Sequence, residues 1–229
     1  MDTVLYFACV IALLFALYTQ IKVHSTFKRF SRVATRCAIP AHEVARRILD
    51  MNGLYDVRVE CIGGNLTDHY DHRARTIRLS YSVYNSSSAA AVGIAAHEVG
   101  HALQYAKEYA PIKVRQALVH TQGFASSFTW IAIMIGFLVM SFDYVLGYYI
   151  LLFGIGLFSL IALFELVTLP CEFNASRRAL SALRAMGSYS EPEISVSRKV
   201  LSAAAMTYVA ALISTVIQLI RLLNIVRRR

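Results

Sequence analysis

Acidic residues are scarce in this 229-residue chain: 14 Asp and Glu stand against 23 Lys and Arg, and charged residues of both signs make up only 16%. So little charge beside 57% hydrophobic residues excludes an ordinary soluble domain and places the chain among membrane proteins. Missing too is any pattern that would turn the net charge of +9 toward nucleic acid. There is no RNP motif, no zinc-finger spacing and no interleaving of basic with aromatic residues; the basic residues gather beside apolar segments, as membrane-flanking charge does. The cysteines Cys9, Cys37, Cys61 and Cys171 form no C-x-x-C pair, so no disulfide framework is implied, in keeping with a reducing compartment. No basic stretch precedes the first apolar run, as a secretory signal would require.

What is present begins with that run, Thr3 to about Tyr18 and extendable to Ile21, followed by Lys22, Lys28, Arg29, Arg32 and Arg36. It reads as an uncleaved first span, and the basic excess after it puts the next stretch on the cytosolic side with the N-terminus outside. A second run from about Phe128 to Phe142 carries the only tryptophan, Trp130, near an expected interface. Asp143 and Tyr144 mark a tight turn, and a third run continues from about Tyr148 to Leu169, giving a transmembrane hairpin. Glu165 falls inside this apolar pattern and reads as an interfacial side chain. The last run, Leu201 to about Leu223, ends in Arg227-Arg228-Arg229. Three crossings before it would send those arginines outside, against the positive-inside tendency, so a fourth span and a helix lying on the membrane surface both stand.

From about Val23 to Ser126 the composition is that of an extramembrane domain. Pro40 opens a helix with Val44, Ile48 and Met51 on one face, and Gly53 ends it. Val57, Val59 and Cys61 alternate, as do Ile77 and Leu79, which predicts two short strands joined by a longer loop. The second strand, about Thr76 to Ser80, is an expected edge for an extended peptide. The loop holds Asp68-His69-Tyr70-Asp71-His72, either a solvated turn or a group near a functional site. Asn85-Ser86-Ser87-Ser88 then supplies capping side chains for an Ala-rich helix.

That helix carries His97-Glu98-Val99-Gly100-His101. Histidines four residues apart project from one helical face, so their ring nitrogens converge on one metal ion. Glu98, one residue round the helix, is placed to take a proton from a water on that ion without being a ligand. His42-Glu43-Val44-Ala45-Arg46 opens in the same way, but an arginine stands where the second ligand would be, and a guanidinium has no lone pair to offer a cation. His120, without a second ligand at helical spacing, reads as a surface histidine.

A catalytic zinc site needs a third protein ligand and an open fourth position. Glu172, in Pro170-Cys171-Glu172-Phe173-Asn174-Ala175-Ser176-Arg177-Arg178, is the best candidate. Pro170 is expected to end the third span and start a new helix with Glu172 in its first turn; the competing reading is a glutamate that merely complements the helix dipole. Cys171 is a poorer ligand beside Glu172, because adjacent helical side chains diverge by about 100°.

The runs Thr67 to Asp71, Ala95 to Gln104 and Leu169 to Ala179 together resemble the YugP-type family of neutral membrane zinc metallopeptidases, over nearly the whole chain. More distantly, the two histidines and the later glutamate are similar to the arrangement in HtpX-type gluzincin proteases. The resemblance implies one Zn2+ per chain held by His97, His101 and Glu172, with Glu98 as general base and acid. Asn174 and Ser176 depart from the acidic residues expected at those places; Ser176 stands where HtpX-like sequences orient a histidine with Asp. An oxyanion stabiliser is also required, and His69, Tyr70, Arg177 and Arg178 are candidates.

The expected fold is a predominantly α-helical integral membrane protein: transmembrane helices plus a minimal, gluzincin-like zincin domain with a small β-sheet. Residues 1–21 form the first span, 22–126 a cytosolic zincin domain, 127–169 the hairpin, 170–200 the helix with the third ligand, and 201–229 the transmembrane or interfacial C-terminal helix. The expected function is hydrolysis of peptide bonds by a zinc-activated water in a multi-pass protein of the cell membrane. Its partners are a membrane-associated polypeptide and the bilayer, with no nucleic acid. The alternatives are a non-enzymatic membrane scaffold with a structural zinc site, and an intramembrane protease of the site-2 type. The sequence lacks the L-D-G-type segment that the last would need.

Overall fold

The computed structural model describes residues 2–227. Arg228 and Arg229, part of the charge argument for the last segment, lie outside the described residues. The elements are α1 (Asp2–Phe30), α2 (Ala41–Met51), β1 (Arg58–Ile62), β2 (His69–Asp71), β3 (Thr76–Ser80), α3 (Tyr81–Tyr84), α4 (Ala89–Ala106), α5 (Ala110–Val139), α6 (Tyr144–Ala185) and α7 (Glu191–Arg227). The protein is thus predominantly helical with a small mixed sheet. It folds as two compact units, one made of Thr19–Ile112 with Pro170–Met206 and the other of the remaining segments.

The second of these units holds a stretch of each of α1, α5, α6 and α7, helices that are long and apolar enough to cross a membrane. With 29, 30, 42 and 37 residues, all exceed the roughly 20 that a hydrocarbon core requires. Along α7, Ser214, Gln218 and Arg221 recur at helical spacing and meet Ala12, Cys9 and Tyr6 of α1 in reverse order. Ser214 Oγ lies 3.4 Å from the Ala12 carbonyl, Cys9 Sγ 3.5 Å from Gln218 Oε1, and the Arg221 guanidinium 4.2 Å over the Tyr6 ring. The two helices therefore run antiparallel, joined by the polar contacts that substitute for a hydrophobic drive between apolar helices.

The break expected at Pro170 is absent: α6 runs through it to Ala185. Proline in a helix interior removes one hydrogen bond and costs about 3 kcal/mol. Beyond it the same helix buries Cys171, Ala175, Ala179 and Leu183, four residues apart, so one face is held by packing on every turn. α5 begins at Ala110 with Pro111 in its first turn, and one compact unit gives way to the other after Ile112.

The other unit has its core between α2, α4 and the sheet. Ala41, Val44, Ala45, Ile48 and Leu49 of α2 are buried against it, whereas Met51, expected on that face, is 55% exposed. Pro40 takes the N-cap position, and Gly53 follows the helix with φ +73°. The sheet has three strands in the order β1-β3-β2, β1 parallel and β2 antiparallel to β3, with Val59 and Tyr70 both opposite Ile77. The segment Thr76–Ser80, expected as an edge, is the central strand; the edges are β1 and β2. The polar run read as a loop contains β2, which is too short to display alternation. Its acids bracket it: Asp68 accepts from the backbone N–H of Ser80 at 2.7 Å, and Asp71 accepts from the N–H groups of Arg73 and Ala74 and from Arg78.

Candidate metal centre

The site starts from the Ala-rich helix α4. Ser88 caps it, accepting from the Ala91 N–H at 3.2 Å, and so leaves the two histidines two to three turns inside a well-anchored helix. Ala89, Ala90, Ala91, Ala95 and Ala96 are buried, so neighbouring elements pack close to its backbone. At two positions they come closer than any side chain permits. A Cβ at Gly93 would lie 2.9 Å from Ser197 Cβ of α7, whose Oγ donates to the Ala89 carbonyl. At Gly100, inside the histidine motif, a Cβ would meet the carbonyl of Ala175 and lie 3.0 Å from its carbon, both backbone atoms of α6. Glu172 sits three residues before Ala175 on that helix.

This approach brings the three expected ligands together. One ligand atom from each of His97, His101 and Glu172 lies within 4.8 Å of the others. The Glu172 Oε2 is 3.2 Å from His97 Nε2 and 3.6 Å from His101 Nε2, and the imidazole planes are 85° apart. The side chains are only 15%, 12% and 4% exposed.

The opposite ring nitrogens are also held. His97 Nδ1 is 3.1 Å from the Ser176 hydroxyl, one turn beyond Glu172 on α6. His101 Nδ1 is 3.0 Å from Oε1 of Gln104, which is fully buried and donates its amide to the Cys171 carbonyl at 2.6 Å and to Asn174 Oδ1 at 3.1 Å. Asn174 Oδ1 in turn accepts from Arg178 Nε at 2.7 Å. Sequence reasoning missed Gln104, although a polar residue three places after His101 on a buried apolar face was a readable signal. Ser176, read as a departure from an orienting acid, reaches His97 Nδ1 with its hydroxyl.

Glu98 is 7% exposed. Burial pushes its carboxyl pKa upward, His97 and His101 oppose the shift, and the neighbouring charges of Glu172 and Asp68 add to it. For Glu172 burial acts in the same sense, but the contacts with His101 and His97 outweigh it and hold the carboxyl well below the usual range. Burial lowers His101, and Glu172, Glu98 and Gln104 together more than reverse this.

Of the remaining candidates, His69 is exposed on β2 with Nδ1 2.8 Å from the Thr67 carbonyl. Tyr70 is half-buried, its ring 5.7 Å from that of Tyr105, one turn past His101 on α4. Arg177 is exposed, while Arg178 reaches back to His101 through Asn174 and Gln104 and lies over the Tyr109 ring. The imitation of the motif is accounted for: His42 stacks on Tyr84 and bonds its carbonyl at 2.9 Å, and Arg46 pairs with Asp50 and donates to the carbonyls of Leu54 and Val57.

The donor set fits a zinc ion. Gln104 offers His101 an acceptor, so a neutral ring carries its proton on Nδ1 and turns the Nε2 lone pair toward a carboxylate oxygen 3.6 Å away. A cation between those two acceptors would reconcile them. Two imidazoles and one carboxylate are the ligand types of a catalytic zinc site with an open position.

Comparison with known proteins points the same way. The family described as "Putative neutral zinc metallopeptidase" matches residues 5–227. A curated relative from Bacillus subtilis (strain 168), named "Putative membrane protease YugP", is 42% identical over 219 residues, covering 96% of this chain and 95% of its own length. No solved structure matches.

Proposed function

We propose, because the chain belongs to the neutral zinc metallopeptidase family, that it is an integral-membrane endopeptidase acting on membrane-associated polypeptides. His97, His101 and Glu172 would hold one zinc ion, which when bound would supply Lewis-acid polarisation of the scissile carbonyl and of water. Glu98 takes the proton from the attacking water and returns it to the leaving amine; its burial, which raises its affinity for a proton, suits a group that must do both. The edge of β2 receives the peptide as an added antiparallel strand, in place of the segment Thr76–Ser80, whose two sides are already paired. Tyr70 on that strand and Arg178 are the favoured stabilisers of the developing oxyanion, ahead of the exposed His69 and Arg177.

The observation that carries this reading is the convergence of three ligand atoms within 4.8 Å beside a buried glutamate that is not one of them. All four long helices span the cell membrane, the metal centre faces the cytosol, and the start of α1 and the end of α7 lie outside. The basic residues after α1 and the antiparallel α1–α7 contact support this topology. Glu98→Gln is expected to keep stoichiometric zinc and to lose peptide hydrolysis. Retained full activity overturns the mechanism, and a purified parent protein without zinc overturns the centre itself.

A further inference from the structure

We propose that Gln104 is the positioning residue of this centre: it fixes His101 in the tautomer whose Nε2 is bare, and the same amide sets the register of α6 against α4. The inference rests on the metal-centre reading above. An amide has an acceptor end and a donor end, and here the surroundings dictate which is which. Arg178 Nε can only donate, so the atom of Asn174 that it meets at 2.7 Å is the oxygen. That oxygen and the Cys171 carbonyl both need donors, and the nitrogen of Gln104 lies 3.1 and 2.6 Å from them. The oxygen of Gln104 is therefore the atom facing His101 Nδ1, 3.0 Å away, and it accepts the imidazole proton. Turning the amide round would crowd its oxygen against two other acceptors at a place with no access to water.

Ser176 exerts no such control over His97, because a hydroxyl donates or accepts as required. The lock is thus on one histidine, and it is neutral where a carboxylate is the commoner partner. The amide also grips α6 on both sides of the third ligand, since Cys171 and Asn174 flank Glu172. One side chain therefore fixes the protonation of one ligand and the placement of another.

The test uses the full chain in detergent or nanodiscs, with Gln104→Met, which keeps the length and removes both polar ends, and Gln104→Glu, whose carboxylate keeps the acceptor for His101 and removes the donor to α6. Two properties are read: the imidazole 15N shifts of His101 in metal-free protein at alkaline pH, where the ring is neutral, and the zinc dissociation constant by chelator competition. The parent is expected to have the Nδ1–H signature. The Met variant should lose it and bind zinc about 10–100-fold more weakly, while the Glu variant should keep the Nδ1–H signature. A Met variant with parental affinity and tautomer overturns the proposal, as does a Glu variant that loses the Nδ1–H signature as Met does, which would reduce the residue to space filling. A parent that binds no zinc overturns the metal-centre reading instead, and the imidazole signature still decides the role of Gln104.

Discussion

Replacing Gly100 by Ala separates the geometry of the metal centre from the stability of the fold. The new methyl group would lie 3.0 Å from the carbonyl carbon and 3.1 Å from the Cα of Ala175, and nearer still to its oxygen. Ordinary carbon contacts are about 3.5–4.0 Å, so α6 must retreat from α4 by at least about half an ångström. Because the obstacle is backbone, no side-chain rotation relieves it. Overpacking of this kind costs about 1–3 kcal/mol, and the better helix propensity of Ala in mid-helix returns about 1. The net loss is at most about 2 kcal/mol, a fall in Tm of no more than about 8 °C for a chain of this size. Metal coordination is far less tolerant, since ligand distances must be met to within about 0.2 Å and Glu172 rides on the displaced helix. Gly100→Ala is therefore expected to fold, span and purify like the parent while losing at least about tenfold in zinc affinity, with peptide hydrolysis falling in proportion. The assay is zinc content by mass spectrometry after dialysis against a weak chelator, beside thermal unfolding of the same preparation. Gly123→Ala is the control, because a Cβ there meets nothing within 4 Å. Full zinc occupancy in Gly100→Ala would refute the claim that the approach of α6 to α4 builds the site.

The raised carboxyl of Glu98 has a consequence for stability in the metal-free protein. A carboxyl whose folded pKa exceeds its ordinary 4.5 binds protons more readily folded than unfolded, so it lowers stability progressively as pH rises through and above 4.5. Metal-free Glu98→Gln should melt higher than the metal-free parent at pH 7.5, and the gap should close as the pH approaches 4.5; a gap independent of pH would remove ionisation as its cause. Topology is checked with a C-terminal tag in sealed vesicles of known orientation: the tag should be digested from the side opposite to the metal centre. Digestion from the same side would return α7 to the membrane surface.

The parts of the site that were legible in the sequence are those fixed by local periodicity. Four-residue spacing alone put His97 and His101 on one face, Ser88 announced the helix start, and apolar length marked the four long helices. What sequence could not display depends on partners distant in the chain. β2 exists because Asp68 and Asp71 find Ser80, Arg73, Ala74 and Arg78, and the same acids in isolation look like a solvated turn. The helix through Pro170 persists because Cys171, Ala175, Ala179 and Leu183 are packed, which outweighs a local breaking signal. Gly100 reads as a weak point of a helix until Ala175 is placed against it.

The same distinction explains why the third ligand is a glutamate on another helix. Two histidines at helical spacing are preorganised by α4 alone, but Glu172 lies 75 residues beyond His97, and only the fold brings it within 3.2 Å. Burying that carboxylate beside Glu98 places two acids in one enclosed site, an arrangement that is costly unless positive charge is shared between them. In the metal-free protein burial disfavours a charged His101, and Glu172, Glu98 and Gln104 more than reverse this and draw a proton toward it. A divalent ion held by His97, His101 and Glu172 would supply that charge without a proton, and both imidazoles would then be neutral ligands. Binding that ion is therefore coupled to holding α4 and α6 together, and at one hundred times its dissociation constant it adds about 2.7 kcal/mol to the folded state. On the proposed mechanism, α4 with its general base would in this way be clamped to α6, which completes the centre.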